Sequence, residues 1–314
     1  MIKSVLVYLT HPHVDAWNFQ PRHREILQDQ VPGLEVTVCC HSKEFLDRLP
    51  EAQAAAVWFF KKEWLEKAPQ LRLIATPAAG RDWIAVEPRD DLQISFGGFH
   101  GPMIAESVTG AIFYFLKAFQ FSREMQEKSR WAVKKVSDRL QSLYQARVTI
   151  LGFGRIGQTI GLALKPFGCQ VTAVKRTPIQ EPDYFTAGDR VVTVENLPEV
   201  LRETDHLVLV LPGGEETQGI LKREHFKMLK SSCYLYNVGR GNVYREKDLV
   251  AALEAGEIAG AYLDVFETEP LPAESPLWQM KNVLLQPHLS AASPQYLELF
   301  VRELAERMNS GDLG

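Results

Sequence analysis

A glycine-rich turn between an apolar run and a helical pattern constrains this chain more than any other feature. Residues 148–151 have the composition of a β-strand and lead into Gly152-Phe153-Gly154-Arg155-Ile156-Gly157, after which apolar residues recur at helical spacing. In such a turn the first glycine permits the tight bend, the second lets the backbone approach a pyrophosphate, and the third lets the helix pack on the strand. The helix N-terminus adds free N–H groups and a positive dipole end. The pattern predicts a dinucleotide-binding unit, with a purely structural glycine turn as the alternative.

The end of the next strand, about 20 residues after such a turn, is where an Asp or Glu accepts a hydrogen bond from the ribose 2′-hydroxyl. This chain has Lys175, Arg176 and Thr177 there, and no acid. A carboxylate would repel the 2′-phosphate of NADP, whereas Arg176 can hold it bidentately and the two neighbours can assist. The sequence therefore favours NADP over NAD, unless Lys175 and Arg176 are only solvated loop charges.

Short apolar runs alternate with helical stretches along the chain of 314 residues, which is long enough for two domains. Such alternation is typical of parallel sheets with crossover helices. Strands are predicted at residues 5–9, 36–40, 55–60, 71–76 and 92–96, and again at 148–153, 171–174, 207–211, 234–238, 261–266 and 283–286. Long helices are predicted at about 103–117, 122–140 and 294–308. The predicted fold class is α/β, with two doubly wound parallel sheets.

Composition excludes several classes of function. Lys and Arg total 35 against 39 Asp and Glu, a formal net charge of −4, so binding to nucleic acid or to an anionic membrane is not expected. The longest apolar runs fall well short of the roughly 20 residues that span a bilayer. Four cysteines without CxxC spacing indicate reduced thiols of a cytoplasmic protein, and His11 and His13 lack the acidic cluster that would predict a metal site. The expected partner is a small molecule.

Polar residues follow three predicted strands of the second sheet, at the edge where ligands bind in open α/β sheets. Arg240 lies between two glycines, Glu269 precedes a proline and His288 follows one. An imidazole can both donate and accept a proton near neutrality, a carboxylate can stabilise its charged form, and a guanidinium fits planar anions. Singly, these residues have ordinary explanations as a solvated loop, a turn and a packing histidine. Together with the glycine turn, they predict a catalytic site.

These segments together resemble the D-isomer-specific 2-hydroxy acid dehydrogenase family, whose marks are a glycine motif, an NVGRG-type strand end, a DVFxxEPL segment and a PH segment. Here they read GFGRIG, NVGRGNV, LDVFETEPLP and QPHLSAAS, in that order and at fitting spacing. The resemblance covers residues 71–293 well and the preceding residues only by pattern. It implies that His288 protonates a 2-keto oxygen, that Glu269 holds the second ring nitrogen, and that Arg240 binds the substrate carboxylate.

The resemblance also implies which residues contact the coenzyme and the substrate. The coenzyme contacts would come from the glycine turn and from loops after the neighbouring strands: Gly152, Gly154, Arg155, Ile156, Gly157, Lys175, Arg176, Thr177, Leu211, Pro212, Thr217, Val238, Gly239 and Asp264. The substrate carboxylate would be received by a loop of small residues at Ala79 and Gly80, together with Arg240. No metal is implied.

The family's architecture implies a flavodoxin-like substrate domain formed by residues 1–98 and 289–314, with a dinucleotide-binding domain at 99–288 inserted in it. The active site would lie in the cleft between the domains, and the family's usual state is a homodimer. The implied reaction is reduction of a short 2-keto acid to the D-2-hydroxy acid by hydride transfer from NAD(P)H. Two other interpretations stay open: a phosphoglycerate dehydrogenase-like enzyme, and a cofactor-sensing interaction protein similar to the corepressors that resemble these enzymes.

Overall fold

The computed structural model describes residues 2–84, 86–87, 89–177 and 179–312. The chain divides into two compact units, Met1–His100 with Ala292–Gly314 and Gly101–Ala291, so the second unit is inserted in the sequence of the first. Each unit contains a parallel β-sheet, and helical segments connect most of its consecutive strands. The predicted α/β fold class with two doubly wound parallel sheets is confirmed.

The first unit is built on a sheet of short, apolar strands. Its strands are β1 (Ser4–Tyr8), β2 (Glu35–Val38), β3 (Ala54–Val57), β4 (Leu73–Thr76) and β5 (Gln93–Phe96), and its first helices are α1 (Pro21–Gln30), α2 (Ser42–Arg48) and α3 (Lys62–Leu65). Within the described residues the strand order is β2-β1-β3-β4-β5, all parallel, which is the flavodoxin-like order. Every residue of β3 and β4 is buried, as parallel strands covered on both faces require.

The second unit is built on a larger sheet. Its strands are β6 (Arg147–Leu151), β7 (Gln170–Lys175), β8 (Arg190–Thr193), β9 (His206–Leu209), β10 (Tyr234–Asn237), β11 (Gly260–Leu263) and β12 (Val283–Leu285). Its helices are α4 (Gly101–Leu116), α5 (Phe119–Glu127), α6 (Val133–Ser137), α7 (Arg155–Leu164), α8 (Leu197–Glu203), α9 (Arg223–Phe226) and α10 (Glu246–Glu254). Over the described residues the order is β12-β11-β10-β9-β6-β7-β8, so the strand order reverses at β6. Ligands of such sheets bind outside the carboxyl ends of the strands at that reversal.

The longest helices of the described chain are α4 and the C-terminal α11 (Tyr296–Ser310). The helix α4 packs on α7, and a Cβ at Gly101 would lie only 2.5 Å from Oγ1 of Thr159. The helix α11 packs on α1 in the first unit, where Asn309 Nδ2 donates a hydrogen bond to the carbonyl oxygen of Gln30 at 2.9 Å. Neither of them, nor any other helix in the described ranges, combines the length and apolarity needed to cross a membrane.

The second unit differs from the sequence prediction at one strand and at one helix. Strand β8 was not predicted, because its side chains are exposed or half-buried at the edge of the sheet and form no buried apolar run. The single helix predicted at 122–140 is instead the pair α5 and α6. The break follows from Ser129, whose φ of 48° is left-handed, and the N–H groups of Ser129 and Arg130 close α5 on the carbonyls of Gln126 and Met125. A serine in this conformation gives no sequence signal of the kind a glycine gives.

Candidate functional site

The glycine turn between β6 and α7 has three glycines in three different environments. A Cβ at Gly152, whose φ is +99°, would lie 2.5 Å from the carbonyl oxygen of Val210. A Cβ at Gly157 would lie 2.3 Å from the carbonyl oxygen of Gly152, so only glycine lets the helix approach the turn this closely. At Gly154, which precedes α7, a Cβ would meet no described atom within 4 Å. The backbone at Gly154 is therefore open to a ligand, while the other two glycines are required by packing.

A pocket of about 520 Å³ adjoins this turn. Its lining includes the predicted coenzyme residues Gly154, Arg155 and Lys175. Arg155 and Ile156 form the first residues of α7, with Arg155 exposed and Ile156 half-buried. The N-terminal N–H groups of α7, which helix geometry leaves without intrahelical partners, thus begin at the open glycine.

The residues predicted to read the ribose lie at the end of β7. Lys175 is the last residue of the strand and is half-buried, whereas Arg176 and Thr177 are exposed. The guanidinium of Arg176 donates a hydrogen bond to the carboxylate of Glu216, in the loop after β9. Sequence analysis missed Glu216, since the two residues are 40 positions apart and only the order of the strands brings their loops together.

The loops after β9 and β10 contact each other closely. A Cβ at Gly239 would lie 2.6 Å from the carbonyl oxygen of Leu211, so the glycine is required where these loops meet. Thr217 Oγ1 donates a hydrogen bond to the carbonyl oxygen of Pro212 at 2.7 Å and closes the loop after β9. Val238 is buried at the end of β10. The structure therefore brings together several predicted coenzyme residues at the carboxyl edge of the second sheet, which is the edge where its strands end: Leu211, Pro212, Thr217, Val238 and Gly239.

Arg240 is held at the end of β10 by a buried asparagine. The side chain of Asn237 accepts a hydrogen bond from Gly239 N at 3.1 Å and donates one to the carbonyl oxygen of Arg240 at 3.0 Å. A Cβ at Gly241 would lie 2.0 Å from the backbone of Phe266, in the segment after β11. The Gly-Arg-Gly loop is thus packed against the segment that carries Glu269, and the positive charge of Arg240 helps to lower the pKa of that carboxylate.

His288 and Glu269 form a hydrogen-bonded pair of an imidazole and a carboxylate at this edge. His288 Nδ1 lies 2.8 Å from Glu269 Oε2, and the two side chains are 38% and 36% exposed. Glu269 Oε1 accepts a further hydrogen bond from Phe266 N at 3.0 Å. Burial raises the pKa of Glu269, but the hydrogen bonds from His288 and Phe266, with the charges of His288 and Arg240, lower it overall. The carboxylate is therefore kept ionised beside the imidazole.

The segment of His288 is positioned by Asp264, a buried carboxylate that follows β11. Its side chain accepts hydrogen bonds from Leu289 N at 2.7 Å and Ser290 N at 3.0 Å, and its carbonyl oxygen accepts one from His288 N at 2.8 Å. Burial raises the pKa of Asp264 although these hydrogen bonds oppose the shift. His288 itself has a φ of 56°, a left-handed conformation that these contacts hold in place. Sequence analysis predicted a coenzyme contact at Asp264 and missed this positioning role.

The predicted substrate loop lies in the first unit, after β4. Thr76 Oγ1 accepts a hydrogen bond from Ala78 N at 3.2 Å, and the carbonyl oxygen of Ala78 accepts one from Gly97 N at 3.0 Å. Ala78 is buried, whereas Ala79 is exposed and Gly80 is half-buried. The loop is therefore fixed at Ala78 and presents Ala79 and Gly80 at the surface.

The histidine pair His11 and His13 in the first unit takes part in local structure. His11 Nδ1 accepts hydrogen bonds from the backbone N–H groups of His13 at 3.3 Å and Val14 at 3.1 Å. Across the described part of the chain, no group of three or more His, Cys, Asp or Glu side chains is arranged to hold a metal ion.

Comparison with known proteins identifies what this arrangement is similar to. A family model described as D-isomer specific 2-hydroxyacid dehydrogenase, NAD binding domain, matches residues 109–290. A glyoxylate/hydroxypyruvate reductase A of Enterobacter sp. (strain 638) is 30% identical over 214 residues, which cover 67% of this chain and 65% of that protein. The chain thus spans a little under two thirds of the length of this curated relative.

Two solved structures are similar over nearly the whole chain. A D-isomer specific 2-hydroxyacid dehydrogenase family protein from Aeromonas salmonicida subsp. salmonicida superposes with a TM-score of 0.82 at 30% identity, covering 99% of this chain and 97% of that one. A D-isomer specific 2-hydroxyacid dehydrogenase from Xanthobacter autotrophicus Py2, solved with NADPH and MES, gives a TM-score of 0.79 at 28% identity, covering 99% and 96%.

Proposed function

This chain belongs to the D-isomer-specific 2-hydroxyacid dehydrogenase family, and on that basis we propose that it reduces a short 2-keto acid to the D-2-hydroxy acid with NAD(P)H. The observation that carries the proposal is the pairing of His288 with Glu269 at 2.8 Å, beside Arg240, at the carboxyl edge of the second sheet. Glyoxylate and hydroxypyruvate are the favoured substrates, because the curated relative that is 30% identical over 214 residues is named for them.

The glycine turn fits the coenzyme that this reaction needs. A pyrophosphate requires backbone N–H groups that it can approach without meeting a side chain, and Gly154 at the start of α7 offers that approach. When bound, NAD(P)H supplies the hydride, and the protein supplies orientation and electrostatics. Arg155, Ile156, Leu211, Pro212, Thr217, Val238 and Gly239 would line the rest of its path.

His288 is the residue that would move the proton. Its Nδ1 is held by Glu269, so the other ring nitrogen is left to donate a proton to the keto oxygen as it gains negative charge. The ionised Glu269 stabilises the imidazolium before transfer and keeps the ring in one tautomer. Asp264 positions the whole segment through its backbone contacts, so it acts on the reaction through His288.

Arg240 would bind the substrate carboxylate and polarise the adjacent carbonyl, since a guanidinium presents two parallel donors to a planar anion. Its backbone is fixed by Asn237 and its loop by the contact at Gly241. Ala79 and Gly80, in the first unit, stay proposed carboxylate-binding residues through their backbone N–H groups. Fixed donors of this kind lower the barrier because they need no rearrangement during the reaction.

A direct test is reduced-coenzyme oxidation with glyoxylate, hydroxypyruvate, pyruvate and phenylpyruvate, each with NADPH and with NADH. Saturating turnover with any of them supports the proposal. Chiral analysis of the product from hydroxypyruvate, pyruvate or phenylpyruvate then identifies the D-hydroxy acid, since the glycolate formed from glyoxylate is achiral. Phosphohydroxypyruvate is assayed in the same way, and turnover with it but with none of the other four acids would replace the proposal by the phosphoglycerate dehydrogenase-like alternative. Coenzyme binding without turnover on any of these acids would instead favour a cofactor-sensing interaction protein.

The proposed coenzyme preference is NADP over NAD, because Lys175, Arg176 and Thr177 stand at the end of β7 where an NAD-specific site carries an acid. Arg176→Ala should weaken NADPH binding about tenfold, since a charge-assisted hydrogen bond is lost at an exposed site, while NADH binding changes by less than about twofold. The measurement is the dissociation constant of each coenzyme from its fluorescence. Equal losses for both coenzymes would show that the 2′-phosphate is recognised elsewhere.

A homodimer and a cytoplasmic location complete the proposal. The helices α5 and α6 and the residues around them expose large apolar side chains, with Trp131 94% exposed and Val133 64% exposed, and burial against a second copy would remove them from water. Light scattering at micromolar concentration should give twice the chain mass, and the mass of one chain would contradict the homodimer.

The proposed cytoplasmic location is supported by the cysteines. Cys39, Cys40, Cys169 and Cys233 are free thiols, as a reducing compartment favours.

A further inference from the structure

An ion pair joins the loop after β7 to the loop after β9 at the place where the ribose of a bound dinucleotide would be read. The guanidinium of Arg176 donates to Glu216 Oε2, and both side chains are 76% exposed. The two loops lie on either side of β6, because the strand order is β9-β6-β7. The acid that sequence analysis did not find at the end of β7 is thus supplied by the loop after β9.

The loop that carries Glu216 is held in shape by its own hydrogen bonds. Thr217 Oγ1 donates to the carbonyl oxygens of Pro212 at 2.7 Å and Gly214 at 3.2 Å, and Gln218 N donates to the latter at 3.1 Å. Gly214 has a φ of +133°, which an L side chain rarely adopts. Glu216 is therefore presented to Arg176 by a closed turn.

We propose that Glu216 sets the coenzyme preference by opposing the 2′-phosphate at Arg176, an inference that rests on the proposed coenzyme site. To bind Arg176, a 2′-phosphate must displace the carboxylate of Glu216 from the guanidinium. The bound phosphate then remains close to the negative charge of that carboxylate. A ribose 2′-hydroxyl is neutral and can donate a hydrogen bond to the same carboxylate. Glu216 therefore reduces the advantage of NADPH over NADH that Arg176 provides.

The size of the effect follows from the exposure of the pair. Exposed ion pairs contribute little, because water and salt screen them and both side chains lose freedom. Removing the carboxylate should accordingly tighten the binding of a 2′-phosphate by about three- to fivefold. The binding of a ligand with a 2′-hydroxyl should change by no more than about twofold in the opposite direction.

The experiment is calorimetric titration of the full-length protein with 2′,5′-ADP and with 5′-AMP, at low and at high salt. Glu216→Gln keeps the shape of the side chain and removes its charge. The matched control is Glu215→Gln, since Glu215 is an exposed acid in the same loop and forms no ion pair within the described residues. We expect Glu216→Gln to tighten 2′,5′-ADP about three- to fivefold at low salt, with a smaller gain at high salt, and Glu215→Gln to change it little.

A second variant connects the effect to Arg176. In an Arg176→Ala background, the gain from Glu216→Gln should be smaller, because the competition for the guanidinium is gone and only the direct repulsion between carboxylate and phosphate is left to remove. Weaker binding of 2′,5′-ADP to Glu216→Gln would overturn the inference and show that Glu216 positions Arg176 for the phosphate. An equal gain in Glu215→Gln would also overturn it, since only net charge would be acting. If wild-type protein does not bind 2′,5′-ADP, both this inference and the NADP preference fail, whereas reduction of a keto acid with NADH still stands.

Discussion

The two edges of the second sheet carry similar residues in opposite circumstances. At the amino edge, Asp205 and His206 stand at the start of β9, and at the carboxyl edge Glu269 and His288 follow β11 and β12. Asp205 accepts hydrogen bonds from Arg147 N at 2.8 Å and from Lys230 Nζ at 2.7 Å. His206 is 2% exposed, and its Nδ1 lies 3.0 Å from the hydroxyl of Tyr236.

The difference lies in what hydrogen-bonding capacity remains for a ligand. Burial lowers the pKa of His206 to about 4, so this imidazole is neutral at pH 7 and serves the core. His288 is more exposed, and the carboxylate beside it is kept ionised by that imidazole and by Phe266 N. A histidine with an acid beside it in sequence is therefore not enough to indicate catalysis. Exposure of the imidazole, and an ionised carboxylate as the partner of one ring nitrogen, distinguish the carboxyl edge.

The largest effect should come from removing the imidazole at the carboxyl edge. His288→Ala should lower kcat by about a thousandfold, because proton transfer by a positioned side chain contributes roughly 10²- to 10⁴-fold. Coenzyme affinity should stay within about twofold, since the glycine turn is untouched. Steady-state kinetics and coenzyme titration together make the measurement.

The amino edge provides the control for this variant. His206→Ala should leave kcat of the folded enzyme unchanged but lower the melting temperature, because the Tyr236 hydroxyl loses its buried partner. If His288→Ala loses coenzyme binding together with turnover, the proton-transfer role assigned to His288 is wrong. A loss of kcat in His206→Ala would erase the distinction between the two edges.

A second effect concerns the pH dependence of stability at the amino edge. The pKa of His206 is about 4 when folded and 6.5 by its ordinary value, so the unfolded chain binds a proton that the folded protein does not. The neutral His206 therefore makes its full contribution to the free energy of unfolding above pH 6.5. This contribution is lost as the pH falls toward 4, by roughly 3 kcal/mol. Urea unfolding of wild type and His206→Phe at several pH values measures this slope.

The expected result is a flatter pH dependence in His206→Phe over that interval. His23 in the first unit, whose pKa burial also lowers to about 4, contributes its own slope equally to both proteins. The free energy of unfolding of the variant should be lower at pH 7, because a buried hydrogen bond is lost, but should fall less on acidification. Parallel curves for the two proteins would mean that His206 does not titrate as its burial requires.

A smaller kinetic effect should come from Arg240. Arg240→Lys keeps the charge but replaces a planar fork by a single ammonium, so one charge-assisted hydrogen bond to the substrate carboxylate is lost. We expect kcat/KM for the keto acid to fall about 30-fold, which corresponds to roughly 2 kcal/mol. The coenzyme dissociation constant is the internal control and should not change. Wild-type kinetics would remove Arg240 from substrate binding.

Much of the fold could be predicted from local patterns, because buried parallel strands such as β3 and β4 are short apolar runs bounded by polar turns. Strand β8 lacked that signal at the edge of the sheet, and the break after α5 depends on the left-handed Ser129. The positions of Arg240, Glu269 and His288 at the carboxyl ends of the strands could be predicted because each follows a recognisable strand.

What could not be predicted are contacts between loops that are distant in sequence. The carboxylate of Asp264 holds the backbone of Leu289 and Ser290, and Glu216 pairs with Arg176 from 40 residues away. Neither contact follows from composition or periodicity, because each depends on which strands are neighbours and how their loops turn. A sequence motif shows which residue types are present at an edge, whereas their partners are set by tertiary packing.

The smallest effect should come from the ion pair at the amino edge. Lys230 and Asp205 are 38% and 32% exposed, so water screens most of their attraction and Lys230→Met should cost less than about 1 kcal/mol of unfolding free energy. Asp205 keeps its hydrogen bond from Arg147 N and so is not left without a partner. Urea unfolding at low and high salt measures the cost, which should shrink as salt is added. Because the pair serves only the amino edge, kcat and both Michaelis constants should match wild type, and a kinetic defect in Lys230→Met would show that the two edges are coupled.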